Sequence, residues 1–186
     1  MLISKFSTNA VEKRIADTEQ RYHFTFPDQH KNFLLKYNGG YTPNTTFKAK
    51  GVSSDLRGFF GVGDVGLSLD NEPLKLWAEG NLCHVACDSF GNLVVMGLND
   101  ESSGKVFFCD HENGYAADFL AESLVDFLRC CVSEGISPES TRSVKEREDA
   151  LIAKGRGYII TDALRKLWQD EIDKYSKMIL EEVSID

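Results

Sequence analysis

The sequence predicts an α+β protein: a central, mainly antiparallel sheet packed with helices, followed by a C-terminal helical extension. Three observations carry that reading. Three short runs, Leu82–Cys87, Leu93–Leu98 and Lys105–Cys109, alternate in polarity or are continuously apolar, as half-buried and buried strands are. The gaps between them, Asp88-Ser-Phe-Gly-Asn92 and Asn99-Asp-Glu-Ser-Ser-Gly104, are of hairpin length and contain glycine, so the strands form an antiparallel meander. Helical periodicity flanks this region on both sides.

The elements follow in order. Residues 8–22 read as a helix, with Val11 and Ile15 four apart and Ala16 and Glu19 continuing the turn. Thr8 or Asn9 can cap it, and Glu12 suits the first turn, where free amide groups favour negative charge. Phe24 and Phe26 alternate briefly. Pro27 opens a second helix, because proline's missing N–H is harmless in a first turn. Phe33, Leu34 and Tyr37 form its apolar stripe, and Asn38-Gly39-Gly40 end it. Residues 41–66 are turn-rich, with short extended pieces around Thr45–Lys48 and Leu56–Phe60. Leu74, Trp77 and Ala78 suggest one helical face within 67–80.

After the meander, Leu120, Leu124, Phe127, Leu128 and Cys131 predict a helix at about 119–132, and Pro138 breaks the pattern. A polar helix fits 141–154 and stops at Gly155-Arg-Gly157. A longer one fits 162–182, capped by Thr161 or Asp162, with the stripe Leu164, Leu167, Trp168, Ile172, Tyr175, Met178 and Ile179. Such a stripe has to be covered, by the chain's own core or by a partner. The organisation expected is therefore an α+β domain over 1–135 and a helical extension over 136–186 that packs on the same domain or on a partner, in a monomer or homodimer.

With 186 residues, 42% of them apolar and only 4 prolines, the chain is neither disordered nor low in complexity. No apolar run exceeds four residues, which leaves no transmembrane helix. The start, Met-Leu-Ile-Ser-Lys-Phe-Ser, lacks the apolar stretch of a signal peptide, so the expected location is cytoplasmic and the five cysteines are expected to be free thiols. The net charge is −8, and it is uneven: residues 64–126 hold twelve acids against Lys75 and Lys105, or −10, while the remainder is +2. A field of that sign repels phosphates, which argues against nucleic acid, and it speeds association with a basic partner. A solvated, solubilising surface is the plainer account of the same charge.

Motifs for chemistry are weak. Gly61-Val-Gly-Asp-Val-Gly66 fits G-x-G-x-x-G formally, but Pro73 stands where the following helix would run, so a glycine-rich turn is expected. Cys83, Cys87, Cys109 and His111 are soft ligands that could hold zinc or serve an enzyme. In a meander, however, an intervening strand separates the first pair from the second. His23, His30, His84 and His111 stand in no nucleophile–base spacing, and there is no G-x-S-x-G elbow. Asp88, Asp110 and Asp118 lie at strand ends and in loops, where aspartate usually satisfies turn amides.

The series Pro27, Phe33-Leu34, Asn38-Gly39-Gly40, Phe59-Phe60-Gly61, Asp88-x-x-Gly91-Asn92, Gly104-Lys-Val106-Phe-Phe-Cys-Asp110-His111-Glu112 and Ser123-Leu124-x-x-Phe127-Leu128 resembles the SUKH superfamily over about residues 8–132. That group contains the fungal Smi/Knr cell-wall regulators and many bacterial immunity proteins. The resemblance implies an α+β binding protein without a cofactor or catalytic residues, in which Asp88, Asp110 and His111 are structural turn positions. For the immunity type it implies a partner that is a toxin domain, nuclease or deaminase, with a basic active-site cleft. An acidic face could plug that cleft through Asp100, Glu101, Asp110, Glu112, Asp118, Glu122 and Asp126, if these gather on one surface. A regulatory or scaffold protein of the Smi/Knr type is the alternative, and a metal-binding protein or enzyme using the thiol–imidazole group is a lesser one.

Overall fold

The computed structural model describes residues 1–185, which pack as two units: Met1–Gly135 together with the residues from Leu180 onward, and Ile136–Ile179. In the first unit β1 (Leu2–Lys5) precedes α1 (Val11–Tyr22) and α2 (Asp28–Tyr37). Four short strands follow: β2 (Gly40–Tyr41), β3 (Thr45–Ala49), β4 (Val52–Asp55) and β5 (Gly58–Phe59). Then α3 (Leu74–Glu79) leads into β6 (Leu82–Cys87), β7 (Leu93–Gly97), β8 (Val106–Cys109) and β9 (Ala117–Ala121), after which come α4 (Leu124–Arg129) and β10 (Cys131–Ser133). The second unit holds α5 (Pro138–Thr141), α6 (Val144–Ala153) and α7 (Asp162–Ser176), and β11 (Glu181–Glu182) returns to the first.

The fold class is α+β. An eight-stranded sheet runs in the order β11-β1-β2-β5-β6-β7-β8-β9, and a small sheet runs β10-β3-β4. Every paired neighbour is antiparallel. The predicted meander is β6-β7-β8, and its strands are buried on both faces, which is why they read as apolar runs. Helix α2 lays Phe33, Leu34 and Tyr37 into the core, with the Phe33 ring 4.8 Å from Phe59. Phe47 of the small sheet packs on Phe127 of α4 at 5.3 Å. Each such fully buried side chain is worth roughly 1.5–3 kcal/mol of transfer free energy.

The turn after α2 locks the two halves of the first unit together. Asn38 ends the helix in the left-handed conformation, its N–H donating to the Leu34 carbonyl. Its side-chain amide donates to the carbonyls of Ser7 and Val62, and its Oδ1 accepts from the Val62 N–H at 2.9 Å. Gly39 follows at φ +76°, where a Cβ would lie 2.6 Å from the Phe59 carbonyl oxygen. Only glycine fits there.

Four expectations are corrected. The stretch 119–132 is not one helix: Ala117–Ala121 is edge strand β9, Ser123 caps α4 by accepting from the Asp126 N–H, and Cys131–Ser133 is β10. Leu120 and Ala121 are buried by pairing with β8, and this tertiary gain overrides the local helical spacing. The 162–182 helix ends at Ser176, and Glu181–Glu182 instead pair with Leu2–Ile3. At the start of α1 neither Thr8 nor Asn9 supplies a side-chain cap. Ala10 holds that position at φ 57°, and the Thr8 carbonyl takes the Val11 N–H. The extended piece at Leu56–Phe60 is a strand over Gly58–Phe59 alone.

In the second unit α6 opens on a reciprocal cap, with Ser143 N–H donating to Glu146 Oε2 and Glu146 N–H to Ser143 Oγ. Arg147–Glu171 at 2.7 Å and Arg165–Glu148 tie α6 to α7. Trp168 is half-buried beside Leu151 and Ala150, while Leu167 stays exposed.

Candidate functional site

The meander fixes where each chemistry-bearing residue falls. Cys87 and Cys109 both pair with Leu93, from opposite sides, so two strand spacings of about 5 Å each hold them apart. Cys83 lies further along β6, opposite Met96. Cys83, Cys87, Cys109 and His111 are therefore not brought together, and among the described residues no three His, Cys, Asp or Glu side chains converge as a metal's donor set. A Cys–His contact that sequence spacing did not suggest does form, between Cys83 Sγ and His30 Nδ1 at 3.6 Å. Burial pushes that thiol up to about 12 and the imidazole down to about 3, so the pair is a neutral core contact rather than a thiolate nucleophile. Gly61–Gly66 is a turn: Asp70 accepts from the Gly63 N–H, and Ser68 Oγ donates to the Gly63 carbonyl.

The acids divide along β8. Asp100 and Glu101 lie in the β7–β8 turn, and Glu122 follows Ala121, the partner of Val106, so these three sit at one end. Asp110 and Glu112 follow Cys109 in a single 3-10 turn, and Asp118 pairs with Phe108, so these sit toward the other end, about 10 Å of strand away. Asp126 lies on α4, where it accepts from Ser123 Oγ and from Arg129 at 2.9 Å. At the first end Glu122 lines a cavity of about 440 Å³ together with Gly104, Ser103 and Asp28.

The second end is more elaborate. Asp88 closes the β6–β7 hairpin: its carboxylate accepts from Ser54 Oγ, the Phe90 and Asn92 N–H groups and Asn92 Nδ2, all within 2.9 Å. Asn92 Oδ1 in turn accepts from the His111 N–H at 3.1 Å and lies 2.7 Å from His111 Nδ1. This chain of hydrogen bonds sets the Asp110-His111-Glu112 turn beside the hairpin and gives Asp88, Asn92 and His111 a structural role there. Two large apolar side chains stand exposed at this end, Phe90 at 69% and Tyr115 at 42%.

Between them opens a cavity of about 490 Å³, lined also by Arg57, Glu72, Cys87 and Leu93. Behind it His84 is fully buried. Its ring packs on Trp77 and Phe60, and Trp77 packs in turn on Tyr115. Burial lowers His84 to about 4 and raises the Glu72 carboxyl, whose Oε2 is 3.6 Å from His84 Nδ1. Cys87 is raised to about 11, by burial first, with Arg57 opposing and Glu72, Asp88 and Asp55 adding. Sequence reasoning did not single out Glu72, Phe90 and Tyr115, and it weighed His84 only as a histidine without a nucleophile–base spacing. They lie in different loops and strands, and the folded sheet gathers them.

The site combines exposed aromatics with nearby carboxylates, and among the described residues its thiol is protonated and its buried imidazole is neutral. A SUKH_6 family model, described as SMI1-KNR4 cell-wall, matches residues 12–128, and the chain belongs to that family. No curated protein and no solved structure matches it.

Proposed function

We propose that this protein is a non-catalytic immunity protein of the cytoplasm that binds a toxin domain of nuclease or deaminase type and covers that domain's basic active-site cleft. The observation that carries the reading is the exposed pair Phe90 and Tyr115 beside the Asp110–Glu112 turn, held in place by the Asp88–Asn92–His111 hydrogen bonds. Exposed aromatics supply contact area and flanking acids supply steering and register, the combination that protein interfaces use. The −10 stretch over 64–126 fits a basic protein and disfavours nucleic acid or an anionic membrane as the direct partner. Asp100, Glu101 and Glu122 form a second acidic group at the far end of β8, and the two groups can be tested separately.

The test is co-expression with basic toxin domains, scored by rescue of growth and by co-purification at low salt. Rescue is expected. Reversing Glu112 and Asp118 to lysine is expected to weaken the complex at least about tenfold, while reversing Glu101 and Glu122 has a smaller effect. No rescue by the wild-type chain from any toxin domain encoded beside it would sink the reading. The description of the matching family favours a second one, a regulatory or scaffold protein, and stable capture of an endogenous non-toxin protein through the same residues would select it.

A further inference from the structure

Glu72 is an anomaly in a chain whose other half-buried carboxylates are occupied. Its side chain is 29% exposed and lines the 490 Å³ cavity. Among the described residues its carboxylate accepts no hydrogen bond; His84 Nδ1 lies 3.6 Å from Oε2, beyond hydrogen-bond length for a nitrogen and an oxygen. His84 is completely buried and neither of its ring nitrogens has a hydrogen-bond partner. Asp88, in the same cavity, is spent on the hairpin. Arg57 lines the cavity too, yet it makes no ion pair with Glu72, and three carboxylates, Glu72, Asp88 and Asp55, share its neighbourhood at Cys87. The space therefore holds a partly desolvated acceptor with no donor and an excess of negative charge. Its walls include the aromatic rings of Phe60 and Tyr115, with Phe90 at the lip, and Trp77 backs Tyr115 edge-on.

We propose that this cavity takes an arginine side chain of the protein partner, with the guanidinium paired to Glu72 and stacked on the Tyr115 ring. The proposal rests on the reading above that the partner is a protein, and it names the group that protein presents. A planar fork of N–H donors can bond both oxygens of a carboxylate while its face lies on an aromatic ring; a lysine ammonium, compact and strongly hydrated, does neither as well. The cavity, of about 490 Å³, has the volume for such a side chain, and the exposed Phe90 and Tyr115 give the surrounding chain of the partner something to bury.

The full-length protein can be titrated with N-acetyl-arginine amide, N-acetyl-lysine amide and the uncharged N-acetyl-citrulline amide, with amide and indole NMR shifts recorded. Saturable shifts at Glu72, Trp77, Phe90 and Tyr115 are expected for the arginine compound, weaker ones for lysine and none for citrulline. Glu72→Gln is expected to reduce the arginine response about tenfold. Phe90→Ser, at an exposed hairpin tip, keeps the test valid if the first variant fails to fold, and it should weaken the response severalfold. An equal response to citrulline, shifts that map elsewhere, or an unchanged response in folded Glu72→Gln would overturn the proposal. A toxin domain that binds Glu72→Gln as tightly as wild type overturns the anchor and leaves the proposed function standing. An arginine response with no protein partner in the rescue assay does the reverse: the site stands and the proposed function falls.

Discussion

Cys83, Cys87, Cys109 and Cys131 are all buried, and burial raises each thiol to between about 11 and 12. A thiol reacts as its thiolate, so at pH 8 these four are shielded both by packing and by protonation. Cys130 is half-buried, and its Sγ donates to the Asp126 carbonyl at 3.4 Å. Labelling the native protein with a chromogenic disulfide reagent at pH 8 should modify at most one thiol quickly, Cys130, whereas the denatured chain gives all five. Rapid native modification of Cys83 or Cys109 would show that the meander opens far more easily than its packing implies. Free thiols could be expected from the sequence, which has an odd number of cysteines. It could not show that Cys83 meets His30, because that contact joins a helix to a strand 53 positions away.

At the scale of elements, legibility followed the range of the interactions that make each one. The meander could be read because β6, β7 and β8 announce themselves locally, by apolar runs broken at Gly91 and Gly104. Helix α2 could be read because Pro27 and Asn38-Gly39 mark both ends. Strand β9 could not, since Leu120 falls in helical phase with Leu124, Phe127 and Leu128. The signal that separates them is Ser123 three residues before Asp126, which marks a new helix start. Strand β11 has no local signal: two glutamates become a strand only because β1 offers an edge. Its anchor is Tyr37, whose Oη accepts from the Ser184 N–H at 2.9 Å and donates to the Ser184 carbonyl at 3.1 Å. Tyr37→Phe keeps the buried ring and removes both bonds, so it should cost about 1–2 kcal/mol in urea unfolding. It should also speed amide exchange at Ile3 and Val183 selectively. Uniform loss across the sheet would mean that β11 is not separately secured. The candidate site was legible only in part for the same reason: the Asp88-x-x-Gly-Asn92 turn is local, whereas Glu72, His84 and Tyr115 meet through the sheet.

For the whole molecule, two effects of acid act in opposite directions and can be told apart. With a net charge of −8, lowering the pH relieves self-repulsion and on its own would stabilise the fold. His30 and His84 act the other way. Both are buried and neutral, lowered from 6.5 to about 3 and about 4. Between pH 6.5 and about 4 the unfolded chain binds protons on both rings while the folded chain does not, so stability falls with pH, by up to about 1.4 kcal/mol per pH unit for each histidine. Glu72, raised by burial, holds its proton longer in the folded state and returns part of that loss as the pH falls. On the alkaline side the raised thiols favour the unfolded chain above pH 9, where its cysteines ionise and the buried ones do not. Stability should therefore be flat from about pH 7 to 9 and should drop on both sides, as urea midpoints measured from pH 4.5 to 10 would show. In His30→Leu the acid limb should become shallower while the alkaline limb stays as it was. An acid limb that is absent in the wild type, or unchanged in the variant, would mean that charge relief outweighs the buried imidazoles and that they are not held neutral in the core.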